Sequence, residues 1–274
     1  MEVRSATAPE QVGQLDTEAL RDRFLIQGLL AGPDLRLVYS HEDRLILGGV
    51  RPAPGAPVPL TTAGPLRAEH FLDRRELGVV NVGAPGAVEV DGSTYQLGTK
   101  ECLYVGRGAR DVVFHGTGDT AYYLVSTPAH EQHPTRAATL ADAEPVRLGS
   151  VEGSNERTIY KYIHAAGIRS CQLVLGVTVL EPGSMWNTMP CHTHERRTEA
   201  YFYFDLPDEH RIVHLMGRPD QTRNIIVADR EAVISPCWSV HCGFGTRNYA
   251  FVWAMGGENQ AYDDVEVVAI PDLR

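Results

Sequence analysis

The residues Cys191 to Phe204 read CHTHERRTEAYFYF, placing His192 and His194 one residue apart with Glu199 five positions beyond the second. Two imidazoles and a carboxylate on so short a stretch are donors for a divalent metal. The set suits zinc, and also manganese, iron, cobalt or nickel. On a strand, side chains at i and i+2 face one side, so His192 and His194 project together while Thr193 turns away. The chain from His194 to Glu199 is long enough for a turn or bulge that returns the carboxylate to the same place as the strand EAYFYF begins. A fourth ligand must come from elsewhere. The candidate is His241 in SPCWSVHCGFG, with Pro236 five residues before it and Gly243 and Gly245 after it. A metal so held, with one position open, is a Lewis acid for a carbonyl and its neighbouring hydroxyl.

The elements that must position these groups read as strands. From Leu35 onward the chain falls into short β-branched or aromatic segments separated by Gly, Pro and Asp: LRLVYS, RLILGGV, LGVVNVG, GAVEVDG, STYQLG, ECLYVG, DVVFHG and TAYYLVS. Even spacing and hairpin signals such as Asp91-Gly92 predict an all-β sandwich or barrel. One early helix is predicted near Asp16, an N-cap with Leu15 and Leu20 at staple positions, covering an edge of the β structure. Residues 127–157, rich in Pro, Ala, Ser and acids, are expected to connect two halves. The second half resumes with TIYKYI, CQLVLGVTVL, EAYFYFDL, RIVHLMG, RNIIVA, EAVISP and YAFVWAMG. A weak internal echo links the halves: DRRELGVVNV leads to GTKECLYVGRG, and ERRTEAYFYF leads to DREAVISPCWS. The first half has only His70 ahead of Glu76 and no histidine matching His241, so it is expected to lack the metal site and to serve as scaffold or in assembly.

Bulk properties exclude several classes of function. With 274 residues the chain can bury a large core. Its 35 acidic against 25 basic residues leave a formal charge of -10, which repels nucleic acid and anionic membranes. No apolar run is long enough to span a bilayer, and the amino-terminal stretch has no apolar leader region. A cytoplasmic protein is expected, with no nucleic-acid or membrane partner. Five cysteines without a CxxC pair argue against a disulfide framework. Cys191 and Cys242 adjoin the histidines of interest, and packing is their expected role.

The pattern H-x-H-x4-E followed by P-x4-H resembles the two-part metal motif of the cupin superfamily. It departs in turn residues: Trp238 stands where the usual second motif has a glycine, and the glycine expected after the first glutamate's strand is missing. A closer resemblance covers nearly the whole chain. LVYSHEDRLILGGV, FLDRRELGVVNVG, LYVGRGARDVVF, WNTMPCHTHERR, AVISPCWSVH and MGGENQAYDD are similar to phrases of the bacterial 5-keto-4-deoxyuronate isomerases (4-deoxy-L-threo-5-hexosulose-uronate ketol-isomerases). The resemblance implies an all-β chain of two cupin-like double-stranded β-helix (jelly-roll) domains, residues 1–140 and 141–274, with a few short peripheral helices. It implies one zinc ion per subunit on His192, His194, Glu199 and His241, a homo-hexamer, and cytoplasmic work on uronates released from pectin.

The implied reaction removes a proton alpha to a carbonyl and returns one to the neighbouring carbon through an enediol. A metal that binds both oxygens lowers the energy of the enediolate. Glu195, Tyr201 and Glu258 are candidates for the general base. Arg196, Arg197, Arg247 and Lys161 are candidates for the substrate carboxylate. The histidines His164, His210 and His214 are set aside as structural, and Trp238, Trp253 and the run Tyr201 to Phe204 as core. Two other readings fit the motif: an iron or nickel dioxygenase, and a non-catalytic sugar-acid binding protein.

Overall fold

The central strands of the two large sheets are buried on both faces, and the alternation of their side chains sets the architecture. The computed structural model describes all of residues 1–274. In chain order the first half forms β1 (Glu2–Arg4), α1 (Pro9–Val12), α2 (Thr17–Phe24), β2 (Leu25–Ile26), β3 (Arg36–Ser40), β4 (Ile46–Val50), β5 (Val58–Pro59), β6 (Arg75–Asn81), β7 (Gly86–Val90), β8 (Ser93–Leu97), β9 (Cys102–Val105), β10 (Val112–His115), β11 (Tyr122–Pro128) and β12 (Arg136–Ala138). The second half forms β13 (Val146–Leu148), β14 (Arg157–Ile163), β15 (Val174–Leu180), β16 (Trp186–Thr193), β17 (Arg197–Phe204), β18 (Ile212–Arg218), β19 (Gln221–Val227), β20 (Glu231–Ser235), β21 (His241–Gly245), β22 (Ala250–Gly257) and β23 (Glu266–Val267). No helix is long and apolar enough to cross a membrane.

Each half is a sandwich of a large and a small sheet. The first pairs β1-β3-β4-β11-β6-β9-β12 with β5-β10-β7-β8, and the second pairs β13-β14-β15-β22-β17-β20-β2 with β19-β18-β21-β16-β23. The order β3-β4-β11-β6-β9 matches β14-β15-β22-β17-β20. The echo in the sequence is therefore a repeat of topology. The two large sheets pack face to face. A cluster of 29 buried residues fills the space between them, including the stacked rings of Tyr123 and Phe202, 4.3 Å apart. Along β17, Ala200, Phe202 and Phe204 face this interface, while Tyr201 and Tyr203 face into the second sandwich. Strands buried on both sides read as continuous apolar runs, which is how β6, β11, β17 and β22 appear in the sequence.

The predicted helix forms as α2, with the Asp16 carboxylate accepting from Ala19 N at 2.8 Å. Leu20 and Phe24, four residues apart on one face, join the core of the second sandwich, and β2 adds to the edge strand β20. Phe24 meets Trp238 edge to face at 6.2 Å, so the tryptophan in the motif's glycine place is packed beneath this amino-terminal arm. Asp91 and Gly92 both take positive φ, as a two-residue hairpin between β7 and β8 requires. The connector carries two three-residue strands, β12 and β13. They lie at or next to sheet edges, where pairing to one neighbour suffices without a strand-like sequence.

Glu76, fully buried at the start of β6, ties the halves together. Its carboxylate accepts from the backbone N–H of Cys171, Gln172 and Leu173 at 2.7, 2.8 and 2.9 Å, from Tyr104 OH at 2.8 Å and from Thr127 Oγ1 at 3.0 Å. Buried donors left without a partner each cost about 1–3 kcal/mol. Glu76→Leu is expected to lower unfolding stability by about 3 kcal/mol or more in urea titrations, and Glu76→Gln by less, because its carbonyl still accepts. A loss under about 1 kcal/mol in the leucine variant would show that the 171–173 backbone is satisfied without this carboxylate.

Candidate metal centre

β16 carries an internal bulge: its register against β21 shifts between Asn187 and His192, and Thr188 takes φ 53, a strained conformation for a β-branched residue. Beyond it, His192 pairs across the sheet with His241, the first residue of β21. A tight turn closed by Arg197 N donating to His194 O at 3.0 Å then brings the chain into β17, where Glu199 points inward. A short turn thus replaces the distance that four ligands on separate strands would otherwise have to bridge.

The four donor atoms converge. His192 Nε2 lies 3.2 Å from His194 Nε2 and 3.1 Å from His241 Nε2, while Glu199 Oε2 lies 2.9 Å from His194 Nε2 and 2.7 Å from His241 Nε2. All four lie within 4.8 Å of one another. Donors about 2.1 Å from a common centre and about 90° apart would stand ~3 Å from each other, so the spacing fits one divalent cation. The outer nitrogens support the same assignment. His241 Nδ1 faces Ser239 O at 3.3 Å, a contact that places its ring proton on Nδ1 and leaves Nε2 bare for a metal, while His194 Nδ1 lies 3.2 Å from both Asp264 O and Arg197 Nη2. Burial first, and then the neighbouring His241, push His192 down to about 3, so its imidazole is neutral and ready to ligate at physiological pH. Burial pushes the Glu199 carboxyl up, but its contacts with His241 and His194 outweigh burial and hold it below its ordinary range.

The cluster forms one wall of a cavity of about 340 Å³. Tyr201, Ile159, Phe251, Trp253 and Met255 line it, with Thr178 and Thr188 as hydroxyls and Tyr262 and Asp263 at the rim. Of the three candidate bases, Tyr201 is at the wall, with its hydroxyl 3.2 Å from Thr188 Oγ1. Glu195 and Glu258 are exposed and do not line the cavity.

None of the four expected substrate cations lines the cavity. Arg197 is fully buried: it donates to Ala261 O and Asp264 O at 2.6 Å each, and its Nη2 lies 3.2 Å from His194 Nδ1. Arg196 donates to the Asp264 carboxylate at 2.8 and 2.5 Å and pairs with Glu266. Both arginines fasten the segment that carries Tyr262 and Asp263. Lys161 sits outside, its ammonium 5.0 Å from the Tyr262 ring, and Arg247 lies in a separate depression with Asp205 and Asp229. The cation that does line the cavity is Arg157 on β14. It lies 35 residues before the His-x-His motif, and only strand topology brings it there.

Comparison with known proteins gives consistent matches. The KduI/IolB family matches residues 60–270. A protein of Halalkalibacterium halodurans named 4-deoxy-L-threo-5-hexosulose-uronate ketol-isomerase is 48% identical over 277 residues, covering 100% of both chains. One of the same name from Cereibacter sphaeroides is 50% identical over 274 residues, covering 100% of this chain and 99% of its own. Among solved structures, an IolB-like protein of Salmonella typhimurium has a TM-score of 0.65 at 15% identity over 80% of this chain and 85% of its own. A mutant of the Bacillus subtilis oxalate decarboxylase has a TM-score of 0.58 at 13% identity over 85% of this chain and 74% of its own, which places both sandwiches in the cupin type of fold.

Two outcomes follow from this geometry. His241→Ala and Glu199→Gln are expected to lose bound metal in elemental analysis while keeping the circular dichroism of a folded β protein; full metal content in either variant would refute the ligand set. The second concerns His214, which is fully buried, accepts from or donates to Tyr203 OH at 2.7 Å, and is pushed down to about 3 by burial. Its neutral form is favoured on folding, so its contribution is present in full above about pH 6.5 and is lost as pH falls toward 3. Urea midpoints are expected to drop below pH 6.5, with ~2 kcal/mol lost through this one group at pH 5, and to drop less steeply in His214→Gln. An identical slope in that variant would exclude His214 as a source.

Proposed function

The chain belongs to the KduI/IolB family, and on that premise we propose that it is a metal-dependent ketol-isomerase. It converts 5-dehydro-4-deoxy-D-glucuronate (4-deoxy-L-threo-5-hexosulose uronate) to 3-deoxy-D-glycero-2,5-hexodiulosonate. The observation that carries the reading is a three-histidine, one-glutamate cluster opening on a cavity in a chain about half identical, end to end, to proteins named for this reaction. The reading includes zinc as the metal, a homo-hexamer and cytoplasmic breakdown of pectin-derived uronates, supported by the family resemblance of the sequence.

His192, His194, Glu199 and His241 would hold the metal, which when bound supplies Lewis acidity to a carbonyl and its adjacent hydroxyl. The chain's own groups stabilise charge, orient and exclude water. Burial, and then the charge of Glu199, raise the Tyr201 phenol well above its ordinary value. It keeps its proton at neutral pH, so it acts as a hydrogen-bond donor to a developing oxyanion rather than as the base. The Thr188 hydroxyl orients it. Ile159, Phe251, Trp253 and Met255 exclude water, strengthening polar interactions at the site and protecting the enediol from side reactions.

The expected outcome is isomer formation, followed by NMR in anaerobic buffer, that stops on chelation and returns with zinc. A requirement for oxygen would move the assignment to a dioxygenase. Binding of the uronate without turnover would move it to a binding protein.

A further inference from the structure

In the substrate read above, the two ends of the six-carbon chain compete for one metal. The reacting end is a 2-hydroxyaldehyde, a weak chelator. The other end is a 2-oxo acid, whose keto and carboxylate oxygens form a stronger five-membered chelate with a divalent ion. A bare cavity with an open metal would therefore bind the substrate backwards, with its reacting carbons away from the Lewis acid.

Arg157 is placed to prevent this. It is the one cation lining the cavity. Although the chain has a net charge of -10, no carboxylate forms an ion pair with it. One arm is fixed, with Nη1 donating to Asn155 O at 2.8 Å. The turn that supplies this carbonyl is itself held: Asn155 Oδ1 accepts from Ser150 N at 3.0 Å, and Ser154 O accepts from Met185 N and Trp186 N at 2.7 and 2.9 Å. The other arm of the guanidinium has no protein acceptor. Strand β14 is separated from β17 by β15 and β22, ~14 Å of sheet, so Arg157 and Glu199 reach the cavity from well-separated strands of one sheet. An extended six-carbon acid spans ~6 Å between its terminal carbons, so its carboxylate and its reacting carbonyl are separate enough to be held by different groups.

We propose that Arg157 captures the substrate carboxylate and so selects the orientation in which carbons 1 and 2, rather than the 2-oxo-acid end, meet the metal. The inference rests on the isomerase reading above, but its site is an anion receptor that stands without the metal.

Three measurements test it. In the first, metal-stripped protein is titrated with the uronate, which it does not turn over, by saturation-transfer NMR. Affinity is expected to fall at least about tenfold in Arg157→Met and to recover partly in Arg157→Lys, with unchanged melting temperature in both. In the second, the zinc form of Arg157→Met is expected to lose at least about thirtyfold in kcat/KM, with kcat itself reduced because part of the bound substrate is reversed. In the cobalt-substituted variant, the substrate is expected to produce the visible spectrum that pyruvate produces, whereas in cobalt wild type the two spectra differ. Equal metal-free affinity in Arg157→Met, or a kcat/KM within threefold of wild type, would overturn the proposal. If wild type binds the uronate through Arg157 but forms no isomer, the anion site stands and the isomerase reading fails.

Discussion

Three imidazole nitrogens and a carboxylate oxygen, each 2.7–3.2 Å from two of the others, are the constraint on which the second half of this molecule depends. Lone pairs this close repel unless a cation lies among them, so the scaffold must supply the convergence. It does so with few residues. A bulge aims His192, a tight turn after His194 starts β17 at the depth that points Glu199 inward, and the cross-strand pair of His192 with His241 fixes the last ligand. Arg197, buried and spent on two carbonyls, fixes the second layer: its bond to Asp264 O holds the same carbonyl that His194 Nδ1 faces. A cation that looks available for substrate in the sequence is committed to two backbone carbonyls beside His194.

The wall behind this cluster must be rigid, and rigidity comes from burying β17 and β22 on both faces. One face carries Tyr201, Tyr203, Phe251 and Trp253 into the cavity and its core; the other meets the first sandwich through Phe202 and Phe204. The first half, which has no ligands of its own, contributes by covering a sheet that would otherwise present a large apolar face to water. Glu76 adds direction to that contact, because three backbone donors must find one carboxylate.

Local pattern made much of this legible. The strands, the Asp16-capped helix, the Asp91-Gly92 hairpin and the convergence of His192, His194, Glu199 and His241 all follow from spacing within a few residues or from a known motif. The substrate side was not legible. Arg196, Arg197 and Arg247 were candidates because they lie near the motif in sequence, yet ion pairs with Asp264 and Glu266 occupy the first, carbonyls occupy the second, and the third opens on a different depression. Arg157 carries no local signal, since its place at the cavity depends on β14 lying beside β15. Charge type can be read from sequence, whereas whether a charge is already satisfied depends on partners distant in the chain.

The repeat shows how little separates a ligand from a fastener. Arg75 and Arg197 open corresponding strands, each after another arginine. In β6 the carboxylate is the next residue, Glu76; in β17 it is the one after, Glu199. Since side chains alternate across a sheet, that single step sends Glu76 to the interface between the halves and Glu199 into the barrel, while Leu77, two residues after Arg75, occupies the inward place and joins the apolar core of the first sandwich. The first half therefore lacks more than histidines. Its carboxylate faces the wrong way for a metal, and restoring two histidines there would leave the site without its anionic donor.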